Sequence, residues 1–376
     1  MAPRRACLTI LILLGTLVGQ ARADEIVDGR IGPGALYRLV RPTNWNGSLV
    51  VYAHGYVSPD QPVGITADDN LVINLLVPQG FAVAVSSFSE NGWVVKDGAQ
   101  RTHQLLGIFT SKFGRPTTVY VGGASMGGLI AIKLAETHPT TYAGALAACA
   151  ISGGIQRMFD YHADARALFD FFYPGVLPGS AADLPPGTDI TQDIVLPATA
   201  AITANSIPAF QMAAVDQTPF PFVTPAELVE SIVTALAGNA SELAQLGSLT
   251  RGQPYFDNRF TDYSSTTLPA GLLQAINAGI ERFDAFPSAL QALEHNYDPS
   301  GNLQVPMLML SNARDPVVPG FNQTSYAAAV AANGASDFLV QRQVPTFGHC
   351  VFTPEQLLSA FSDLVGWVQF GVKPAP

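Results

Sequence analysis

The sequence predicts an α/β chain: a mostly parallel sheet flanked by helices, with a mainly helical segment inserted before the last strands. Three observations predict it. Short runs such as FAVAVSS at 81–87 and VPMLMLS at 305–311 are apolar at almost every position and alternate with stretches at helical spacing. Strands apolar on both sides belong to a parallel sheet with helices on both faces. Charged residues make up only 13% of the 376 residues and hydrophobic ones 48%, with a mean hydropathy of +0.24, so a large buried core is available and a disordered chain is excluded. Between about 152 and 304 the alternation stops, and Pro and Gly cluster from Pro174 to Pro186.

The elements follow in order. Arg4 and Arg5 precede a Leu/Ile-rich run at 7–19, and Ala21-Arg22-Ala23 has the A-x-A form of a cleavage site. Residues 1–23 therefore read as a secretory signal, too short in its apolar part to span a bilayer, and the protein is expected to be secreted or periplasmic. Cleavage there would take the net charge from −10 to −13. Strands are expected at 35–41 and 48–54, flanking a turn at 44–47, then at 81–87, 117–122, 143–151, 305–311 and 337–344. Helices are expected at 97–113, 126–137, 326–332 and 354–370, with 225–237 and 272–283 inside the inserted segment. The expected organisation is a core of 24–151 and 305–376 with a cap of 152–304.

A net charge of −10 argues against nucleic acid as a partner, because phosphate binding needs a basic face. No C-x-x-C pair and no H-E-x-x-H is present, so no metal and no cofactor are expected. From 167 to 250 there is no Lys or Arg but eight acids: Asp170, Asp183, Asp189, Asp193, Asp216, Glu227, Glu230 and Glu242. Residues 194–215 carry no charge, yet Pro197, Asn205, Pro208 and Gln211 argue against a membrane span. Phe210, Met212, Phe220 and Phe222 there suit either an apolar pocket or ordinary core. Beyond the signal, two cysteines remain, Cys149 and Cys350, either bridged or free and buried.

Chemistry concentrates in Gly123-Ala124-Ser125-Met126-Gly127, a G-x-S-x-G between an expected strand and an expected helix. Such a tight turn exposes the Ser in a strained backbone and needs small neighbours, supplied by Gly122, Gly123, Ala124, Gly127 and Gly128. Ser125 is the candidate nucleophile. Of six histidines, only His349 follows the last strands, where a base reaching back over the sheet would sit. Asp315, just past the strand at 305–311, is the candidate orienting carboxylate, ahead of Asp160, Asp164 and Asp337. An oxyanion hole needs two backbone N–H groups: Met126 follows the nucleophile, and Tyr56 lies in His54-Gly55-Tyr56 after the strand at 48–54. His54 suits a structural hydrogen bond. His103, His138, His162 and His295 are assigned no catalytic role, and Tyr56 and Trp93 are candidate rim aromatics, for substrate or for packing.

YAHGY at 52–56, GGASMGG at 122–128, NARDPVVP at 312–319 and FGHC at 347–350 together resemble the α/β-hydrolase superfamily, in its motif order and over most of the chain. The resemblance implies an eight-stranded, mostly parallel sheet, a Ser-His-Asp triad of Ser125, His349 and Asp315, and a cap after the sixth strand. The single Gly of the oxyanion loop is similar to that of many esterases and lipases and departs from the HGGG type. Secreted tannase- and feruloyl-esterase-like enzymes tie their His loop by a disulfide whose partner lies beside the Ser. Position 124 here is Ala, so the resemblance leaves a Cys149–Cys350 bridge as one of two alternatives. The expectation is a secreted hydrolase of small-molecule or polymeric carboxylic esters, with no integral membrane segment once the signal is removed. A serine aminopeptidase, an acyltransferase and a non-catalytic binding module are the alternatives, and the sequence leaves oligomeric state open.

Overall fold

Apolar, β-branched segments build one sheet of eight strands. β1 (Glu25–Ile31) pairs antiparallel with β2 (Ala35–Arg41), which pairs antiparallel with β4 (Ala82–Ser86). β3 (Ser48–Ala53), β5 (Thr118–Ala124), β6 (Gly144–Ala148), β7 (Met307–Arg314) and β8 (Leu339–Phe347) continue in parallel, in the order β1-β2-β4-β3-β5-β6-β7-β8. The order reverses at β3, so a crevice opens where the β3 and β5 carboxyl ends diverge into their loops. This computed structural model describes residues 24–376, and for 295–297 the backbone alone. The expected signal segment and its cleavage site lie outside the described residues, as does the side chain of His295.

The strands read from sequence all form, with ends moved by a few residues. The sequence reading missed β1, an edge strand whose Glu25, Asp28 and Arg30 mask its alternation. Its charges bind across to β2, Arg38 to Asp28 at 2.8 Å and Arg41 to Glu25 at 2.6 Å, which also blunts the edge against foreign strands.

Helices cover both faces. α1 (Ala67–Leu76) and α12 (Pro354–Phe370) pack on the face carrying Val50, Tyr52, Tyr120 and Leu310. α2 (Val95–Phe113), α3 (Met126–Thr137) and α11 (Phe321–Ala332) pack on the other, against Val51, Val121 and Met309. α3 and α12 have the bounds read from sequence. α12 starts sharply because Thr353 and Gln356 form a capping box ahead of Pro354. α1 went unread because its box, Thr66 with Asp69, uses Asp where the usual signature has Glu or Gln.

Between β6 and β7 the chain is helical: α4 (Ile155–Phe172), a π-helical turn (Ile190–Val195), α5 (Leu196–Ala204), α6 (Ile207–Ala213), α7 (Pro225–Leu243), α8 (Leu246–Thr250), α9 (Ala270–Gly279) and α10 (Pro287–Tyr297). α7 outruns its expected end at 237, whereas α9 stops at Gly279, where Ile280 turns extended. Met212 and Phe220 are buried in the core, while Phe210 and Phe222 meet at 6.1 Å near the surface. Among the described residues no helix is long and apolar enough to cross a membrane.

α4 carries acids where the interior is least hospitable. Burial, reinforced by Asp164 and Glu242, pushes the Asp160 carboxyl up to about 8, and burial raises Asp164 to about 7 despite the hydrogen bond it accepts from Tyr263. A carboxyl with a raised folded pKa binds its proton more tightly folded than unfolded. Its stabilisation is therefore complete below about pH 4 and is lost as pH rises through 8. Thermal denaturation should show Asp160→Asn melting a few degrees above wild type at pH 8, with the gap shrinking as pH falls and closing only near pH 4. An equal gap at both pH values would contradict it.

Candidate active site

β5 ends at Ala124 and α3 begins at Met126, so Ser125 alone makes the turn, at φ 56° and ψ −122°. Left-handed φ is costly for a residue with a Cβ, and here the surroundings impose it. The Ser125 N–H donates to the Ala148 carbonyl at 2.9 Å, and α3 presses back on the sheet. A Cβ on Gly127 would fall on the Ala53 carbonyl oxygen, and one on Gly123 on the Gly127 carbonyl oxygen. Backbone cannot yield as a side chain can, so Gly127→Ala should destabilise the fold by about 3 kcal/mol. Gly64→Ala, with nothing within 4 Å, serves as the control. Equal melting temperatures for the two variants would contradict this.

The structure brings Ser125, His349 and Asp315 into one hydrogen-bonded line. His349 Nε2 lies 2.9 Å from Ser125 Oγ, and His349 Nδ1 lies 2.8 Å from Asp315 Oδ2. Asp315 is 1% exposed, and its Oδ1 accepts the Val317 and Val318 N–H groups, each at 2.9 Å. The carboxylate is thus held by its own loop, with the second oxygen left for the imidazole. β7 runs to Arg314 rather than stopping at 311, with a bulge between Asn312 and Arg314, so Asp315 stands directly at the strand end. Of its competitors, Asp160 and Asp164 lie on α4, Asp164 bound to Tyr263, and Asp337 is exposed ahead of β8, at the opposite end of that strand from His349.

Met126 follows Ser125 directly, and the loop after β3 packs against it. Met126 is the first residue of α3, where no helical carbonyl is in reach and the helix dipole is positive. Gly55 packs so closely that a Cβ there would lie 3.3 Å from Ser125 Cβ. His54 is buried, stacks on Phe88 at 3.9 Å and donates Nδ1–H to the Gly55 carbonyl at 2.7 Å. That carbonyl and the Tyr56 N–H belong to one planar trans peptide, so the bond to His54 turns the Tyr56 N–H the opposite way.

Cys149 and Cys350 are bridged, which removes the free-thiol alternative. The bridge joins the residue after β6 to the residue after His349, with Cα atoms 5.3 Å apart in space and 201 positions apart in sequence. Both cysteines have left-handed φ, 43° and 55°. Cys350 Sγ lies 3.5 Å from His349 Nε2, but both sulfurs are consumed by their bond, so this trio is not a thiolate metal site.

Several supports escaped the sequence reading. Asn312, 2% exposed, donates to Thr346 Oγ1 at 2.6 Å and to the Val351 carbonyl at 2.9 Å, pinning the His349 loop. Gln245 donates to the Tyr56 hydroxyl at 2.9 Å and accepts from the Trp93 N–H at 3.1 Å. Tyr56 and Trp93 meet at 4.9 Å with their rings tilted by 41°, and both pack under the inserted segment. At the other end of α7, Glu227 pairs with Arg314, next to Asp315, at 3.4 Å. α7 is thereby tied to the loops on both sides of Ser125. His162, assigned no catalytic role, bonds Glu242 of α7, which also accepts from Tyr255 at 2.7 Å. Only proximity in the fold joins these residues, which lie 13 to 189 positions apart.

No family model and no curated protein matches the chain in sequence. Solved structures resemble it in fold. Feruloyl esterase B from Aspergillus oryzae aligns over 93% of this chain and 81% of its own, at 15% identity and a TM-score of 0.56. An esterase from Pyrococcus furiosus aligns over 91% and 90%, at 12% identity and a TM-score of 0.47. With its sheet order, its single-residue turn at Ser125 and the first of these likenesses, the chain has the α/β-hydrolase fold.

Proposed function

We propose that the chain is a serine hydrolase of carboxylic esters, with Ser125 as nucleophile, His349 as base and Asp315 as its orienting carboxylate. The observation that carries this is the unbroken line from Ser125 Oγ through His349 to Asp315, 2.9 Å and 2.8 Å long. Asp315 accepts Nδ1–H, which leaves the Nε2 lone pair facing the hydroxyl. Ser125 Oγ attacks the acyl carbon as its proton passes to Nε2, and the oxyanion falls between the Met126 and Tyr56 N–H groups. Protonated His349 gives that proton to the leaving alkoxide. Water, deprotonated by His349 in turn, attacks the acyl-enzyme, frees the acid and restores Ser125. The name of the feruloyl esterase that shares the fold supports ester chemistry.

In this reading the segment 152–304 is a cap, α7 its roof beam, and its acids disfavour anionic substrates. The protein is exported, since a signal-like 1–23 and a structural disulfide both suit an oxidising compartment. A panel of p-nitrophenyl esters of graded chain length, an aminoacyl p-nitroanilide and a fluorophosphonate probe tests the reading. Ester turnover should exceed anilide turnover by at least an order of magnitude, and the probe should label Ser125. Faster anilide cleavage would make it a peptidase, and an unlabelled Ser125 would refute the nucleophile.

A further inference from the structure

On the face of the sheet covered by α1 and α12 there is a cavity of about 120 Å³. Leu71 and Leu75 of α1, Leu357 and Phe361 of α12, and Leu146 of β6 supply its apolar wall. Gly122 adds no side chain there, and a Cβ on it would only reach ordinary contact, 3.6 Å from Tyr52 Cδ2. The inner wall is the backbone of Gly123 and Ala124 with the Cys149–Cys350 bridge. Strand and bridge divide this cavity from Ser125 and His349, so it is not the site described above.

Its polar features are few. Tyr52 is 7% exposed, and its hydroxyl finds no hydrogen-bond partner among the described residues. Burial and the charges of Asp68 and Asp69 push that hydroxyl's pKa well up, so it stays a neutral donor. Asp68 lines the cavity as well, and no Lys, Arg or His does. Tyr52 and Asp68 are the polar side chains of a wall that is otherwise almost wholly apolar, and an apolar cavity of about 150 Å³ takes up a benzene-sized guest. An anion would meet Asp68 without a counter-charge.

We infer that this cavity is a binding site for a small neutral molecule with an apolar body about one ring in size and one oxygen that pairs with the Tyr52 hydroxyl. A phenol or a short alcohol has this form. The site is independent of the proposed esterase chemistry, and guest and ester can be bound at once.

Crystals of the wild-type protein under xenon, with calorimetric titration of phenol and benzoate at pH 7, test it. Xenon should occupy the cavity, phenol should bind, and benzoate should bind at least tenfold more weakly. Tyr52→Phe should keep the xenon and weaken phenol roughly three- to tenfold, the loss of one hydrogen bond. Leu75→Trp, on the half-buried side of α1, should fill the space and abolish both. An empty cavity under xenon overturns the inference whether or not that variant folds. So does phenol binding that is unchanged in Leu75→Trp, because it would lie elsewhere, or benzoate binding as tightly as phenol.

Discussion

Replacing Ser125 with Ala should lower the hydrolysis of short p-nitrophenyl esters on the order of 10⁴–10⁶-fold while leaving the melting temperature within a few degrees of wild type. The hydroxyl is the only group removed, and the strained φ of 56° burdens Ala as it burdens Ser. His349→Ala should cost as much, and the double variant little more, because residues that act on one proton are not additive. Asp315→Asn is the sharper probe. Its amide oxygen would stay with the Val317 and Val318 N–H groups, which turns the NH₂ toward His349 Nδ1. Two donors cannot share that bond, so the imidazole takes the other tautomer, and Nε2 then carries a proton and cannot accept one from Ser125. About 10⁴-fold is the expected loss. Initial rates at fixed enzyme concentration measure all four variants, and more than 1% of wild-type activity in Ser125→Ala would remove Ser125 from the role.

That this line could be read from the chain at all follows from where its members sit. Ser125 follows a β-branched strand and precedes a helix, with glycines at 122, 123, 127 and 128, a local pattern that dictates the turn. Asp315 and His349 each follow a recognisable strand, and parallel strands deliver their carboxyl ends to one edge. What stayed hidden is non-local or masked by charge. β1 looks like a polar loop until β2 supplies Arg38 and Arg41 across it. Asn312 looks like any loop amide until the His349 loop folds against it. α4 and α7 carry no mark showing that His162 and Glu242 will meet, or that α7 will be tied at Glu227 to one side of the site and at Ser241, with Gln245 just past its end, to the other. The bridge was legible only as a pair of cysteines, because a separation of 201 positions says nothing about whether their Cα atoms come within 5.3 Å.

Removing that bridge should cost both stability and rate. It closes a loop of 201 positions, and losing such a constraint from the unfolded chain typically costs about 2–5 kcal/mol. Cys149→Ala with Cys350→Ala is the pair to make. A Ser at 350 would put a hydroxyl where Sγ now lies, 3.5 Å from His349 Nε2, and would compete with Ser125 for the same lone pair. Without the bridge, the backbone at 149 and 350 is free to leave its left-handed φ values of 43° and 55°. His349 is the neighbour of Cys350, so its loop moves with that relaxation, restrained by Asn312 and by the Gly348 N–H bond to the Arg314 carbonyl at 3.0 Å. The loss should appear in kcat, on the order of tenfold, with KM nearly unchanged, because a displaced base weakens the transition state and not the bound ester. Adding Asn312→Ala should deepen the loss more than Asn312→Ala costs in the bridged protein, since each tether covers for the other. An Ala pair that melts and turns over like wild type would show that the bridge neither stabilises the fold nor holds His349.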